Sequence, residues 1–231
     1  MINWKEKDTV IFDMDGTVLD TIADLAGSVN HVLGELGYPL KTLDEVKKSV
    51  GNGAGRLMER VLPGGREDPR YDEALQMHVA YYEAHCRIRT GPYPGIVPML
   101  RGLQQAGIKM AIVSNKGDGA VKRLKDEFFK GLVGTAVGER DGIRIKPAPD
   151  AVWEAIRQLG SIPEKSIYVG DSEVDCETAV NAGIPGVMVA WGFRGRALLE
   201  QQQPDLIIDE PQELVQLLGC YTRERNELPF L

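Results

Sequence analysis

The sequence predicts an α/β protein: a Rossmann-like three-layer core around a mostly parallel sheet, with an all-helical block inserted into it. Three observations carry this expectation. A short apolar run, Val10-Ile11-Phe12, ends abruptly in charge at Asp13 and Asp15. Residues 18–90 place apolar side chains at helical spacing and contain no convincing strand. From residue 91 onward, helical and strand patterns alternate, which implies parallel strands joined by crossover helices. The first strand needs partners, and only the later sheet can supply them. The core is therefore expected over 1–17 and 91–231, and the inserted helical block over 18–90.

Each element has its own signal. Val10-Ile11-Phe12 reads as a strand buried on both faces. From Asp20 onward, Ile22, Leu25, Val29, Val32, Leu33 and Leu36 line one face of a helix, and Gly37 follows as its C-terminal cap. Thr42-Leu43-Asp44-Glu45 has the capping-box pattern, so a short helix should start there. The glycine-rich stretch 50–55 reads as a flexible loop. Leu57, Val61 and Leu62 carry a helix as far as Pro63-Gly64-Gly65, and Leu75, Val79, Tyr82 and Cys86 carry a longer one. Gly91-Pro92-Tyr93-Pro94-Gly95 marks the boundary. Beyond it, helices are expected at 96–106, 119–129, 150–159 and 173–182. Strands are expected at 109–113, 132–137 (weaker), 166–169, 186–190 and 206–208. The charged stretch 222–227 reads as a frayed terminus.

Composition narrows the function. With 231 residues, 43% of them hydrophobic and 26% charged, the chain has enough apolar material for a soluble globular core. A net charge of -7 and a pI near 5.1 argue against nucleic acid and against an anionic membrane surface as partners. Cys86, Cys176 and Cys220 are far apart, show no ligand spacing and read as reduced thiols. No apolar run reaches the length of a membrane span, and the first residues lack a signal-peptide pattern. A cytoplasmic protein is expected.

The chemistry gathers at strand ends. In open α/β sheets ligands sit just outside the carboxyl ends of strands, where Asp13 and Asp15 are delivered. Side chains two apart on a strand point the same way, so the two carboxylates repel unless a hard cation such as Mg2+ lies between them. Other strands end at Ser114-Asn115 and at Asp171, with Glu173 and Asp175 just beyond. Lys146 sits in a Gly/Pro-rich loop. Three carboxylates with few histidines suit an oxygen-liganded metal and not zinc. A serine, a lysine and exposed amides around Gly16 and Asn115 suit a phosphoryl group. Each residue also has a plain reading: an ordinary Asp-Gly turn, a strand-to-helix turn at Ser114-Asn115, a solvated Lys146, a surface Asp175. Glu173 fits a first-turn acidic residue and is left out of the site. His31, His78 and His85 fall in the helical block and receive no chemistry, and Arg194 and Arg196 read as solvated.

Asp13-Met14-Asp15-Gly16-Thr17, Ser114-Asn115, Lys146 and Gly170-Asp171-Ser172-Glu173-Val174-Asp175 together resemble the four ordered motifs of the haloacid dehalogenase superfamily. The resemblance spans nearly the whole chain, and the helical block looks like that family's inserted cap. Within the superfamily the chain is most similar to phosphoglycolate phosphatases, through Gly51-Asn52-Gly53-Ala54, Ser114-Asn115-Lys116 and Trp191-Gly192-Phe193. The resemblance implies a Mg2+-dependent phosphatase for a small phosphorylated metabolite such as 2-phosphoglycolate. Asp13 would be the nucleophile, and Asp15 the general acid and base with its backbone carbonyl on the metal. Ser114 and the Asn115 amide would hold phosphate oxygens, and Lys146 would offset the charge of Asp13 and the phosphoryl group. Asp171 would bind Mg2+, with Asp175 as ligand or supporting residue. Arg56, in the cap, would meet an anionic substrate. A phosphomutase of the β-phosphoglucomutase type stays open, as does a phosphatase for a sugar phosphate, a nucleotide or pyrophosphate. A noncatalytic phosphate sensor fits less well, because a receiver-like domain carries its phosphoacceptor after a middle strand. A dehalogenase is disfavoured by Asp15, and no cap lysine stands out for a phosphonatase. The oligomeric state, monomer or homodimer, is left open.

Overall fold

The structure, a computed structural model, describes residues 2–220; the stretch 222–227 lies outside them. Strand β1 (Thr9–Asp13) stands near the centre of a six-stranded sheet. Its partners are β4 (Lys109–Gly117) on one side and β6 (Ser166–Gly170) on the other, both parallel to it. The sheet continues outward to β5 (Thr135–Glu139) beyond β4, and to β7 (Gly186–Val189) and β8 (Leu206–Ile208) beyond β6. The order is β5-β4-β1-β6-β7-β8, with every pairing parallel. The chain leaves β1 toward β4 and β5, then crosses over to β6 and proceeds the other way. The switch in direction opens a crevice at the carboxyl ends of β1 and β6.

Alternation along β1 builds the three layers. Val10 and Phe12 face one apolar cluster, with helices α5 (Ile96–Gln105), α6 (Asp118–Phe129) and α10 (Pro211–Leu217). Ile11 faces the other, with α7 (Asp150–Gln158), α8 (Glu173–Ala182) and α9 (Arg196–Gln201). All five residues of β1 are buried, which is why the strand reads as an unbroken apolar run up to its charged end.

Between β1 and β4 lies a helical block: α1 (Ile22–Glu35), α2 (Leu43–Ser49), α3 (Gly53–Val61) and α4 (Tyr71–His85). Thr42 and Glu45 form the expected capping box at the start of α2. The block's two ends meet. Leu19–Asp20 forms a two-residue strand, β2, antiparallel to β3 (Gly91–Pro92). Beside this neck, the Asp24 carboxylate accepts hydrogen bonds from the amides of Arg89 and Thr90 and from the Thr90 hydroxyl. A buried carboxylate thus pins the first turn of α1 to the segment leaving the block.

Several expectations need correction. Residues 18–90 contain a strand after all, because β2 needs only a partner from across the neck, and that partner is remote in sequence. The stretch 50–55 is only partly loop, since α3 already begins at Gly53. Gly51 and Gly53 hold φ values of 133° and 81°, and this left-handed turn starts a helix where glycine spacing suggests only flexibility. The strand expected at 132–137 is shifted to Thr135–Glu139. Two helices, α9 and α10, fall where no helix was expected.

Candidate active site

The loops after β1, β4, β5 and β6 converge on a cavity of about 110 Å³ between the sheet and the helical block. Its floor is polar. The Lys146 ammonium donates to Asp13 Oδ1 at 2.6 Å, to Asp175 Oδ1 at 2.8 Å and to the Tyr168 hydroxyl at 3.0 Å. All three of its donors are therefore engaged. Asp175 is saturated as well. Its Oδ1 also accepts from the Tyr168 hydroxyl, and its Oδ2 accepts from the Ser172 hydroxyl and from the amides of Asp171 and Ser172. The Ser172–Asp175 pair is also the capping box of α8, so helix start and site scaffold are one structure.

Asp13, Asp171 and Asp175 each present a carboxylate oxygen, and these oxygens all lie within 4.8 Å of one another. All three residues are buried, beside a single ammonium. Burial pushes the Asp13 carboxyl up to about 7; Lys146 works against this rise, and Asp175 and Asp15 add to it. Burial likewise raises Asp171 well above the carboxylate range, with Asp175 and Asp13 reinforcing the effect. Asp175 stays below its ordinary value despite burial, because Lys146 and its hydrogen-bond donors hold it ionised. Lys146 lies well above the ordinary lysine value despite burial, held there by Asp13 and Asp175. The cluster lacks positive charge, and its donors are all oxygens, which is the chemistry a hard divalent cation satisfies. Room is reserved around Asp171: a side chain at either Gly16 or Gly192 would overlap its carboxylate.

Asp15 stands apart from this cluster. Its Oδ1 accepts from the Thr21 hydroxyl at 2.6 Å and pairs with the Lys116 ammonium at 3.1 Å. Its Oδ2 has only a long contact, 3.4 Å, with the Ser114 hydroxyl. Lys116 is buried in turn, and it donates to the Tyr82 hydroxyl of α4 at 2.9 Å. Burial works against its charge, yet Asp15 and Tyr82 hold its pKa above the ordinary lysine value. The two aspartates of the first motif thus face different lysines.

Ser114 lines the cavity beside Asp15. The Asn115 side chain acts as a brace. Its Oδ1 accepts from the Lys146 amide at 2.6 Å, and its Nδ2 donates to the carbonyls of Lys146 and Gly51 at 2.9 and 3.2 Å. One amide thereby fixes the Lys146 loop and touches the helical block. Arg56 is not brought to the site. It pairs with Glu59 on an exposed face and does not line the cavity. The i, i+3 spacing on α3 offers a nearer carboxylate than any substrate.

Arg194 also departs from expectation. Instead of lying in solvent, its side chain is buried and forms a tie between sheet and block. It pairs with Glu173 at 2.8 Å and donates to the carbonyls of Lys47 at 2.9 Å and Val50 at 2.6 Å, at the end of α2. Arg196 remains exposed, on Asp209. His31 and His85 stack on Tyr81, and His78 is buried against Ser28. Sequence reading did not place Lys116, Tyr168, Ser172 and Arg194 in the site. The Ser172-to-Asp175 capping pattern and the Ser114-Asn115-Lys116 stretch were the signals that could have found two of these supports.

Similarity to known proteins agrees with this geometry. The family model described as haloacid dehalogenase-like hydrolase matches residues 10–189. The phosphoglycolate phosphatase of Pseudomonas putida is 35% identical over 222 residues, covering 91% of this chain and 79% of that protein. The phosphoglycolate phosphatase of Aquifex aeolicus is 33% identical over 220 residues, covering 93% and 98%. Among solved structures, a candidate phosphoglycolate phosphatase from Lactobacillus delbrueckii subsp. bulgaricus superposes with a TM-score of 0.86 at 35% identity, covering 91% of this chain and 98% of that one.

Proposed function

The chain belongs to the haloacid dehalogenase-like hydrolase family, and from that premise we propose that it is a Mg2+-dependent phosphatase acting on 2-phosphoglycolate. The observation that carries this reading is the division of labour at the end of β1. Asp13 sits among carboxylates and Lys146, and Asp15 sits apart with one carboxylate oxygen nearly free.

Asp13 attacks phosphorus and forms an aspartyl-phosphate. Lys146 holds the Asp13 carboxylate in place through Oδ1 and offsets its charge, which leaves Oδ2 for the attack. Asp15 protonates the leaving oxygen from Oδ2, while Thr21 and Lys116 fix Oδ1. The same carboxylate then takes a proton from the water that hydrolyses the acyl phosphate. Ser114 offers its hydroxyl to a phosphoryl oxygen. Asp13, Asp171 and the backbone carbonyl of Asp15 would hold Mg2+, and Asp175, with its oxygens already engaged, acts as a support. When bound, the cation neutralises the phosphoryl charge and lets one anion approach another.

The helical block over 18–90 serves as a cap. Leu25, Leu57 and Val79 close the cavity from above and keep bulk water from the acyl phosphate. We place the enzyme in the cytoplasm, a reading supported by three cysteines that are free and buried.

The test is a screen of some tens of phosphorylated metabolites with purified protein, in Mg2+ and in EDTA. The expected result is a kcat/KM for 2-phosphoglycolate above all others, loss of turnover in EDTA, and one inorganic phosphate released per substrate consumed. Transfer of the phosphoryl group to a sugar without phosphate release would overturn the hydrolytic reading.

A further inference from the structure

Three cations line the cavity: Lys146, Arg194 and Lys116. Lys146 has all three donors engaged by Asp13, Asp175 and Tyr168. Arg194 is held by Glu173 and by two carbonyls of the helical block. Lys116 differs. Two of its three donors go to Asp15 and to the Tyr82 hydroxyl, and no acceptor among the described residues takes the third. The ammonium is already paired with Asp15, and its open donor faces the cavity, where it can take one further acceptor.

Its position says which part of a substrate that acceptor belongs to. Lys116 Nζ lies 3.1 Å from Asp15 Oδ1, so it stands next to the group assigned to protonate the leaving oxygen and not next to the group that attacks phosphorus. The phosphoryl group belongs at Asp13, Lys146 and Ser114. The leaving group belongs on the Asp15 side, beneath Tyr82 and the helical block. Its reacting oxygen must reach Asp15 Oδ2, and a carboxylate on the next carbon then lies within roughly 3 Å of that oxygen by covalent geometry alone. That is the region the open donor of Lys116 serves. Leu25, Leu57 and Val79 line this side of the cavity together with His78 and Glu83 of α4, and with His78 held neutral against Ser28 the Lys116 ammonium is the cation there that can recognise an anion.

We propose that Lys116 is the specificity-determining residue for the leaving group: it binds a carboxylate one carbon from the ester oxygen, and Tyr82 from α4 holds the ammonium in position. This rests on the phosphoglycolate reading above and adds the residue that would select for it. It also gives the helical block a part in selection. The hydroxyl of Tyr82 accepts from Lys116, and its ring lies 4.2 Å from the same nitrogen, so the ammonium is aimed only when α4 is in place. Lys116 touches substrate and Tyr82 acts through it, which makes Tyr82 a positioning residue.

The experiment compares 2-phosphoglycolate with ethyl phosphate, in which a methyl group replaces the carboxylate, on wild type, Lys116→Met, Lys116→Arg and Tyr82→Phe. Inhibition by glycolate and by inorganic phosphate is measured on each protein. Wild type should prefer 2-phosphoglycolate. Lys116→Met should lower that preference on the order of 100-fold, as expected for loss of a charge-assisted bond in a buried site, and the loss on 2-phosphoglycolate should exceed the loss on ethyl phosphate. Glycolate inhibition should weaken at least tenfold (roughly one such bond) while phosphate inhibition holds. Lys116→Arg should keep a larger share of the preference than the Met variant. Tyr82→Phe should raise KM for 2-phosphoglycolate more than it lowers kcat. Lys116→Gln, which keeps a hydrogen-bond donor without the charge, replaces the Met variant if that protein does not fold. Equal losses on both substrates, with glycolate inhibition unaltered, would overturn the role of Lys116 and leave the substrate standing. A wild type that turns over both esters equally well would overturn carboxylate recognition and the phosphoglycolate reading together.

Discussion

The floor of the cavity takes its side chains from strand ends and their loops, whereas its roof takes them from helices α1, α3 and α4. On the floor, Asp13, Lys146, Asp171 and Asp175 are each no more than 5% exposed, and the bonds joining them cross up to 133 residues of sequence. Asp13 and Asp175 share the Lys146 ammonium, so removing that ammonium strands two carboxylates in a low-dielectric site. The roof faces the cavity with Leu25, Leu57 and Val79 beside His78 and Glu83, and it meets the floor through a few polar ties: Tyr82 to Lys116, Gly51 to Asn115, and Arg194 to the end of α2. In the proposed reaction the floor would set the chemistry and the roof access and choice, because the roof can vary without dismantling the charge network.

The largest effect should come from the floor. Asp13→Asn should lower phosphatase turnover by at least about 10⁴-fold, as expected for loss of a nucleophile. Chemical denaturation should find its stability equal to or above that of wild type, because one of three clustered carboxylates is removed. Substantial Mg2+-dependent turnover by this variant would detach the chemistry from Asp13. Lys146→Met should follow, with activity down by about 10³-fold and stability down by about 3–5 kcal/mol, since Asp13 and Asp175 are both left buried without their counter-ion. A Lys146→Met protein as stable as wild type would break the picture of a mutually dependent floor.

The roof supplies smaller effects. Burial, aided by Lys116, pushes the His78 pKa down to about 4, and the ring bonds Ser28 in its neutral form. The unfolded chain takes up this proton near pH 6.5, and the folded chain only near 4. The contribution of His78 is therefore complete above pH 6.5 and is lost as pH falls toward 4. Unfolding free energies of wild type and His78→Gln, measured by urea titration, should diverge across that window by about 3 kcal/mol, wild type showing the steeper loss. Parallel pH curves would remove His78 from the account. Arg194→Ala should lower kcat/KM by roughly tenfold, mainly through KM, as the end of α2 loses its tie to the sheet. Arg194→Lys should not rescue it, because one ammonium lacks the planar fork that reaches Glu173 and two carbonyls together.

The contrast between floor and roof also explains what the sequence could disclose. Asp13, Ser114, Lys146 and Asp171 were legible because each follows a strand or loop whose pattern is local, and the sheet brings such ends to one edge. The inserted helices were legible from their 3.6-residue periodicity. Lys116 and Arg194 were not, because a basic residue next to a strand end looks the same whether it meets water or a backbone carbonyl. Each is paired to a core carboxylate and also tied to the helical block, through Tyr82 or the Lys47 and Val50 carbonyls, and the block's orientation over the sheet is a property of long-range packing. Arg56 differs for the opposite reason: the family resemblance turns its loop toward substrate, but a local i, i+3 partner, Glu59, holds its side chain on an exposed face. Strand β2 escaped notice because two residues carry no period at all.

The narrow ladder of Leu19–Asp20 against Gly91–Pro92 has a consequence for descent. A segment whose two ends lie side by side can be lengthened, shortened or exchanged without stretching the chain around it, since the closure entropy is set by the ends and changes slowly with what lies between. Any replacement that keeps these four residues and the Asp24 clasp would leave β1 in register with its neighbours. Recombination could thus supply one hydrolytic sheet with many different lids, each new substrate arriving as a cassette rather than as a series of point changes.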